Sequence, residues 1–162
     1  MADDARSACR PHAVRATGSV TSEFDGLLAR VDPDGVAYWA TLGIVVDAIP
    51  EAGRVTLSLP MRPALGTRRA EVMHGGAVAS LIDAAAGAAL LSTIEETDDT
   101  YRGQATLDLN VTYLNAATTE LRADARILRI SRTLAFTSID VRDADGALVA
   151  VGRTTYSIIR RG

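Results

Sequence analysis

Met73-His74-Gly75-Gly76-Ala77-Val78-Ala79-Ser80-Leu81-Ile82-Asp83-Ala84-Ala85-Ala86-Gly87 is the stretch on which the reading of this chain turns. The pair Gly75-Gly76 sits where a helix should begin, and the run continues as helix to about Thr93. Helix starts leave backbone N–H groups unpaired, carry partial positive charge and favour developing negative charge. Glycine there lets a ligand approach the backbone closely. The helix is apolar nearly all round, which predicts burial on most sides. Asp83 is a lone carboxylate among Ala, Val, Leu, Ile, Ser and Gly, and an unpaired buried charge is costly. Taken singly, each feature has an ordinary explanation. Two glycines often make only a tight turn, an Asp in an Ala-rich helix often faces solvent, and a lone His is usually structural. Their coincidence on one helix marks a candidate site.

Outward from this helix the pattern is mostly strand. Upstream, Leu42 to Ile49 is rich in β-branched residues, Pro50-Glu51-Ala52-Gly53 reads as a turn, and Arg54 to Leu59 alternates polar and apolar, so a hairpin is expected. Pro60 to Arg69 reads as a loop. Downstream, Glu95 to Thr100 is an acidic, exposed loop. Gln104 to Leu114 then alternates, with Ala105, Leu107, Leu109, Val111 and Tyr113 on one face and Thr106, Asp108, Asn110 and Thr112 on the other. Leu121 to Ile130, Leu134 to Val141 and Leu148 to Ile159 complete an antiparallel meander, with Asp143-Ala144-Asp145-Gly146 as a hairpin turn. Near the start, Ser22 to Val31 reads as a short helix capped by Ser22, with Phe24, Leu27, Leu28 and Val31 on one face. Asp32-Pro33-Asp34-Gly35 is a turn. Residues 1–20 lack periodicity and read as a flexible tail, leaving 21–162 as a single domain. Hairpin, buried helix and meander together predict an α+β fold, an antiparallel sheet wrapped around one long central helix.

Spacing adds a prediction about assembly. His74 and Asp83 are nine residues apart, about 13 Å along a helix. The helix-start donors therefore cannot serve the same small group as Asp83 of the same chain. Two antiparallel copies of the helix would bring each Asp83 to the other chain's Gly75 and Gly76. A two-fold homodimer with two composite sites is expected.

Composition narrows the chemistry. The 162 residues carry 17 basic and 20 acidic side chains, a formal net charge of -3. That balance speaks against nucleic acid as a partner. Every basic residue is Arg, so Schiff-base chemistry on a protein lysine and a lysine-bearing P-loop are excluded. Cys9 is the only cysteine, which excludes an intrachain disulfide and Cys-rich zinc sites. The two histidines are His74 and His12, the latter in the tail, so no His-rich metal site is expected. MADDARSACR has acids where a signal peptide has a basic start. The most apolar stretch, Ala77 to Leu91, is too short to span a bilayer and is broken by Asp83. A cytoplasmic location without membrane contact is the expectation.

HGGAVASLID, followed by ATLDLNVTYLNAA and then ISRTLAF, resembles hot-dog-fold acyl-CoA thioesterases of the phenylacetic-acid-degradation type, over about Leu42 to Ile159. The resemblance implies an acyl-CoA thioester hydrolase that yields free acid and coenzyme A, needing no metal or redox cofactor, and working as a dimer or a dimer of dimers. It implies Asp83 as the carboxylate that activates water or attacks the thioester carbon. Gly75 and Gly76, next to His74, match the pair whose helix-start amide forms an oxyanion hole. Thr106 matches a strand Ser or Thr that orients the water; on another branch that hydroxyl sits one turn after the carboxylate, where this chain has Gly87. Arg129, Ser131, Arg132 and Thr133 match the segment that contacts the coenzyme A nucleotide, the arginines suiting its phosphates. One departure stands out. Six residues before the His, relatives commonly carry Asn or Gln, and this chain has Arg68, followed by Arg69. Either Arg could bind substrate or phosphate, or the site is altered.

Two other functions fit the same residues. Hydration or dehydration of an acyl-CoA on this fold would use His74 as base. A non-catalytic acyl-CoA binder would account for Arg68. Thiol release from acyl-CoAs marks hydrolysis, an absorbance change of enoyl-CoA without thiol marks a hydratase, and a binder shows neither.

Overall fold

The computed structural model describes residues 22–32 and 35–162, with side chains described from Gly26 onward. The expected tail at residues 1–20, the Ser22 cap, the place of Phe24, and Pro33 and Asp34 lie outside what is described. Helix α1 (Ser22–Val31) is followed by α2 (Ala37–Leu42), β1 (Val45–Glu51), β2 (Arg54–Leu59), a 3₁₀ turn (Pro63–Leu65), and α3 (Gly75–Leu91). Four strands follow: β3 (Tyr101–Tyr113), β4 (Leu121–Ile130), β5 (Leu134–Arg142) and β6 (Leu148–Arg160). They form one antiparallel six-stranded sheet in the order β1-β2-β4-β5-β6-β3, with α3 packed across its inner face.

Burial explains why α3 lies there. Leu81, Ile82 and Leu90 are wholly buried, and Val78 nearly so. They meet an inner sheet face of Val55, Leu57, Leu59, Leu121, Ile139 and Val141, interleaved with the small Ala123, Ala125, Ala135 and Ala150. Truncating Leu81 or Leu90 to Ala would cost about 2–5 kcal/mol, a large share of the roughly 5–15 kcal/mol that holds a domain folded. Close approach is bought at Gly152 on β6. A Cβ there would stand 2.4 Å from Ile82 Cγ2, closer than real contacts allow.

Three expectations are corrected. First, Leu42 does not open a strand. Residues Ala37–Leu42 form α2, which buries Trp39, and the Gly43 N–H caps it at the Trp39 and Ala40 carbonyls. The β-branched character of the run begins to govern only at Val45. Pro50 likewise lies within β1, not in the turn; β1 is an edge strand, where a missing N–H is tolerated. Second, the meander comprises β4, β5 and β6 only. The segment after β3 crosses the helix start, where the Met73 N–H donates to the Ala117 carbonyl. This delivers β4 beside β2 and leaves β3 on the far side of β6.

The third correction concerns the faces of β3. Its register against β6 pairs Thr106 with Tyr156 and then Asp108 with Thr155, so Leu107 is an extra, bulged residue. A bulge inverts the alternation on one side of itself. Gln104 and Thr106 consequently share the inner face with Leu109, Val111 and Tyr113, whereas Ala105 joins Asp108, Asn110 and Thr112 on the outer face.

Candidate active site

Up to Asp83, the positions of α3 left partly open are Gly75, Gly76, Ala79, Ser80 and Asp83, a stripe at helical spacing. Strand β3 runs antiparallel alongside it and is laced to it by three side chains. Gln104 Nε2 donates to the Gly87 carbonyl at 3.0 Å, Thr106 Oγ1 donates to Asp83 Oδ1 at 2.9 Å, and the Tyr113 hydroxyl donates to the Gly75 carbonyl at 2.8 Å. The contact between Thr106 and Asp83 exists because the bulge at Leu107 turns Thr106 inward.

Asp83 has a second partner that the sequence reading missed. The Tyr156 hydroxyl lies 2.6 Å from Asp83 Oδ1 and 2.8 Å from the Asp83 carbonyl oxygen. Tyr156 comes from β6, faces inward and is 5% exposed. Burial, and donation to the Asp83 carboxylate, raise its phenol pKa far above the ordinary value. It is therefore a permanent donor at any working pH. A tyrosine in an alternating strand reads as core, and its register against a helix 73 residues upstream leaves no local signal. The one sequence sign was Gly87, one turn beyond Asp83. A Cβ there would lie 3.3 Å from the Tyr156 hydroxyl and 3.2 Å from Gln104 Nε2.

At the helix start, His74 is the N-cap residue, and its Nδ1 accepts the Gly76 N–H at 2.9 Å. The Gly76 amide is thus engaged, and the His74 ring in this geometry carries its proton on Nε2. The Ala77 and Val78 amides donate to the His74 carbonyl. Among the described residues no acceptor meets the Gly75 N–H. Of the two glycines, Gly75 therefore has the amide available to a substrate oxygen. Ser80, the next polar residue on the stripe, donates to the Gly76 carbonyl and shares a 2.9 Å hydrogen bond with the exposed Tyr38 hydroxyl of α2.

The other expected residues divide between the two ends of α3. Arg68 and Arg69 lie exposed in the loop before the helix start, on the His74 side. Ser131, Arg132 and Thr133 lie in the β4–β5 turn and Arg129 just before it, in the last residues of β4; there the Thr133 carbonyl accepts the Ile158 N–H two residues past Tyr156. That turn lies at the Asp83 end of the sheet. Arg129 and Arg132 are exposed, while the Ser131 hydroxyl is bound within the turn to the Leu134 amide and carbonyl. Along α3, Asp83 is eight residues from Gly75, about 12 Å. One chain brings together Asp83, Thr106 and Tyr156, but not Asp83 and the Gly75 amide. Cavities of about 420 and 250 Å³ open on the sheet's outer face, among Arg54, Arg126 and Asp140 and around Arg153, remote from Asp83. Among the described residues no cluster of His, Cys, Asp and Glu could hold a metal ion, and no helix is long and apolar enough to cross a membrane.

An antiparallel sheet wrapped on one long central helix defines a hot-dog-fold protein. Residues 70–150 match the family model described as thioesterase superfamily, and the chain belongs to that superfamily. A Halobacterium salinarum protein provisionally named as an esterase is 35% identical over 80% of this chain and 88% of its own length. Human acyl-coenzyme A thioesterase 13 is 38% identical over 51% of this chain; the match spans only 58% of that relative. The crystal structure of a thioesterase family protein from Silicibacter pomeroyi superposes with a TM-score of 0.75 at 26% identity, covering 84% of this chain and all of the other.

Proposed function

We propose that the chain hydrolyses acyl-CoA thioesters to a free acid and coenzyme A. The observation that carries this reading is the Asp83 carboxylate, partly open on α3 with one oxygen held by Thr106 and Tyr156. Likeness to acyl-coenzyme A thioesterase 13 supports the substrate class. Asp83 either removes a proton from water as the water adds to the thioester carbon, or attacks that carbon itself. The carbonyl oxygen gains negative charge as the new bond forms, and the Gly75 N–H at a helix start is suited to receive it. Collapse of the adduct expels the coenzyme A sulfur, which takes up a proton; on the nucleophilic route the acyl–Asp83 anhydride left behind is then hydrolysed by water, releasing the acid and restoring the carboxylate. Thr106 donates its hydrogen to Asp83 and keeps lone pairs for the attacking water. Arg129 and Arg132, at the Asp83 end, would meet the nucleotide phosphates.

The working unit in this reading is a homodimer, because the 12 Å between Asp83 and Gly75 is closed only by a partner helix running the other way. The free edge of β3, with Leu107 61% and Tyr113 52% exposed, supports pairing on that side. Hydration of acyl-CoA is disfavoured by His74, whose Nδ1 is engaged as the helix cap by the Gly76 N–H. The test is thiol release from a panel including phenylacetyl-CoA, hydroxybenzoyl-CoA, and short and long aliphatic acyl-CoAs. Release from at least one, abolished in Asp83→Asn, is expected. Binding without release from any would leave the acyl-CoA binder as the function.

A further inference from the structure

Resting on the hydrolytic reading, we infer that Tyr156 is a positioning residue that decides which oxygen of Asp83 reacts: it and Thr106 immobilise Oδ1, and Oδ2 is the oxygen left for the water or the thioester carbon. Both donors converge on one atom, Thr106 from β3 at 2.9 Å and Tyr156 from β6 at 2.6 Å. No donor among the described residues meets Oδ2. The Tyr156 hydroxyl also lies 2.8 Å from the carbonyl of the same residue, so it ties the Asp83 side chain to its own backbone and fixes its torsions.

A carboxylate on a helix ordinarily rotates and presents either oxygen. A reacting group has to be held within a fraction of an ångström of its productive position, and misplacement by about 1 Å can cost about 10²-fold in rate. The Tyr156 ring is anchored by burial in the sheet, so its hydroxyl is a fixed reference that a surface serine would not provide. Room for it comes from Gly87, where any side chain would press on the phenol oxygen. The chain thus holds the carboxylate from the sheet, with a hydroxyl 73 residues away in sequence.

The electrical surroundings are simple. From β6 the group facing Asp83 is Tyr156, and from β3 the neutral Thr106 and Gln104. The inward residues of β2, β4 and β5 are apolar or Thr137, and α2 reaches the helix at Ser80 through the exposed Tyr38. From α1, Arg30 meets α3 only at the Ser92 carbonyl, past the helix's end. On α3 itself the other titratable group is the capping His74, at the far end.

Tyr156→Phe deletes only the hydroxyl. On the best substrate, kcat should fall about 10-fold, as expected for loss of a hydrogen bond to a charged group, with KM unchanged. Gly87→Ala, which keeps the phenol but crowds it, should lower kcat in the same way with KM unchanged, and alanine favours the helix. The carbon-13 carboxylate signal of aspartate-labelled protein, assigned to Asp83 by its loss in Asp83→Asn, reads the loss of the hydroxyl without any substrate. A displaced or broadened Asp83 signal in folded Tyr156→Phe supports the inference even if no acyl-CoA is hydrolysed, a result that would sink only the hydrolytic reading. An Asp83 signal unmoved in folded Tyr156→Phe overturns it, whatever the thiol assay gives.

Discussion

The sheet has two edges, and they are built in opposite ways. Strand β1 runs seven residues, carries two register irregularities against β2, contains Pro50, and is covered in part by α1. These are the devices by which natural sheets discourage further pairing. Strand β3 runs thirteen residues without proline and exposes Leu107 and Leu109. An edge so long and apolar is a liability unless another strand takes it. The contrast extends to two carboxylates: Asp83 lies against the open edge with one oxygen held by Thr106 and Tyr156, whereas Asp47, on the closed edge, has Oδ1 hydrogen-bonded by Ser58 and Oδ2 3.4 Å from the Arg122 guanidinium.

That contrast is broken most forcefully through its two carboxylates. Asp83→Asn should lower kcat about 10²–10⁴-fold, the usual worth of a positioned acid or base, with KM little moved and the fold intact. Asp47→Asn should leave kcat unchanged and reduce only the melting temperature. Equal kinetic losses in the two would erase the distinction between the edges. A complementing mixture sharpens it: Asp83→Asn chains combined with Gly75→Val chains should regain part of the activity, since one site of each mixed dimer escapes both lesions.

The edges themselves come next. Leu107→Arg on β3 should halve the sedimenting mass and reduce thiol release by at least about 10-fold, because a charge desolvated at an interface is costly. Pro50→Arg on β1 should change neither. An active monomer would show that the open edge needs no partner. A smaller effect is expected of Thr106→Val, about 10-fold or less in kcat, since one of two donors to Asp83 remains.

The smallest effect concerns how the start of β3 is fastened. Asp98 pairs with Arg160 of β6 and with the Thr100 hydroxyl. The hydrogen bonds from Thr100 and Arg160 lower its pKa from 3.8 to about 2. A carboxyl depressed in the folded state contributes stability above its unfolded pKa and loses it as pH falls through the folded one. Amide exchange at residues 101–104 should thus quicken between about pH 4 and about pH 2, while β1 is unaffected by this group. In Asp98→Asn that pH dependence should vanish.

Much of this was legible in the sequence, and the boundary has physical causes. Turn residues and a long apolar helix are local signals, so α3, the Asp143–Gly146 turn and strands β4 to β6 emerge within a residue or two. Asp83 stood out because a lone charge violates its surroundings. What escaped was long-range or of the wrong length. Helix α2 is only six residues long and merges into a β-branched run. The neighbour of β3 depends on where a crossing loop delivers the next strand. The bulge at Leu107 breaks an alternation that looks unbroken, and Tyr156 gains its role only when β6 passes beneath the helix.

The bulge has a consequence for descent. Side-chain direction along a strand has a parity, and Leu107 changes it. A lineage that lost this one codon would regain regular alternation with Thr106 and Leu109 two residues apart, both still facing inward. Keeping the residue while losing the bulge is what would separate them: either the hydroxyl would leave the carboxylate or the apolar residues would leave the core. Relatives of this chain can therefore gain or lose a residue here without turning the hydroxyl away from the helix, and aligning them needs a gap at this point in the strand.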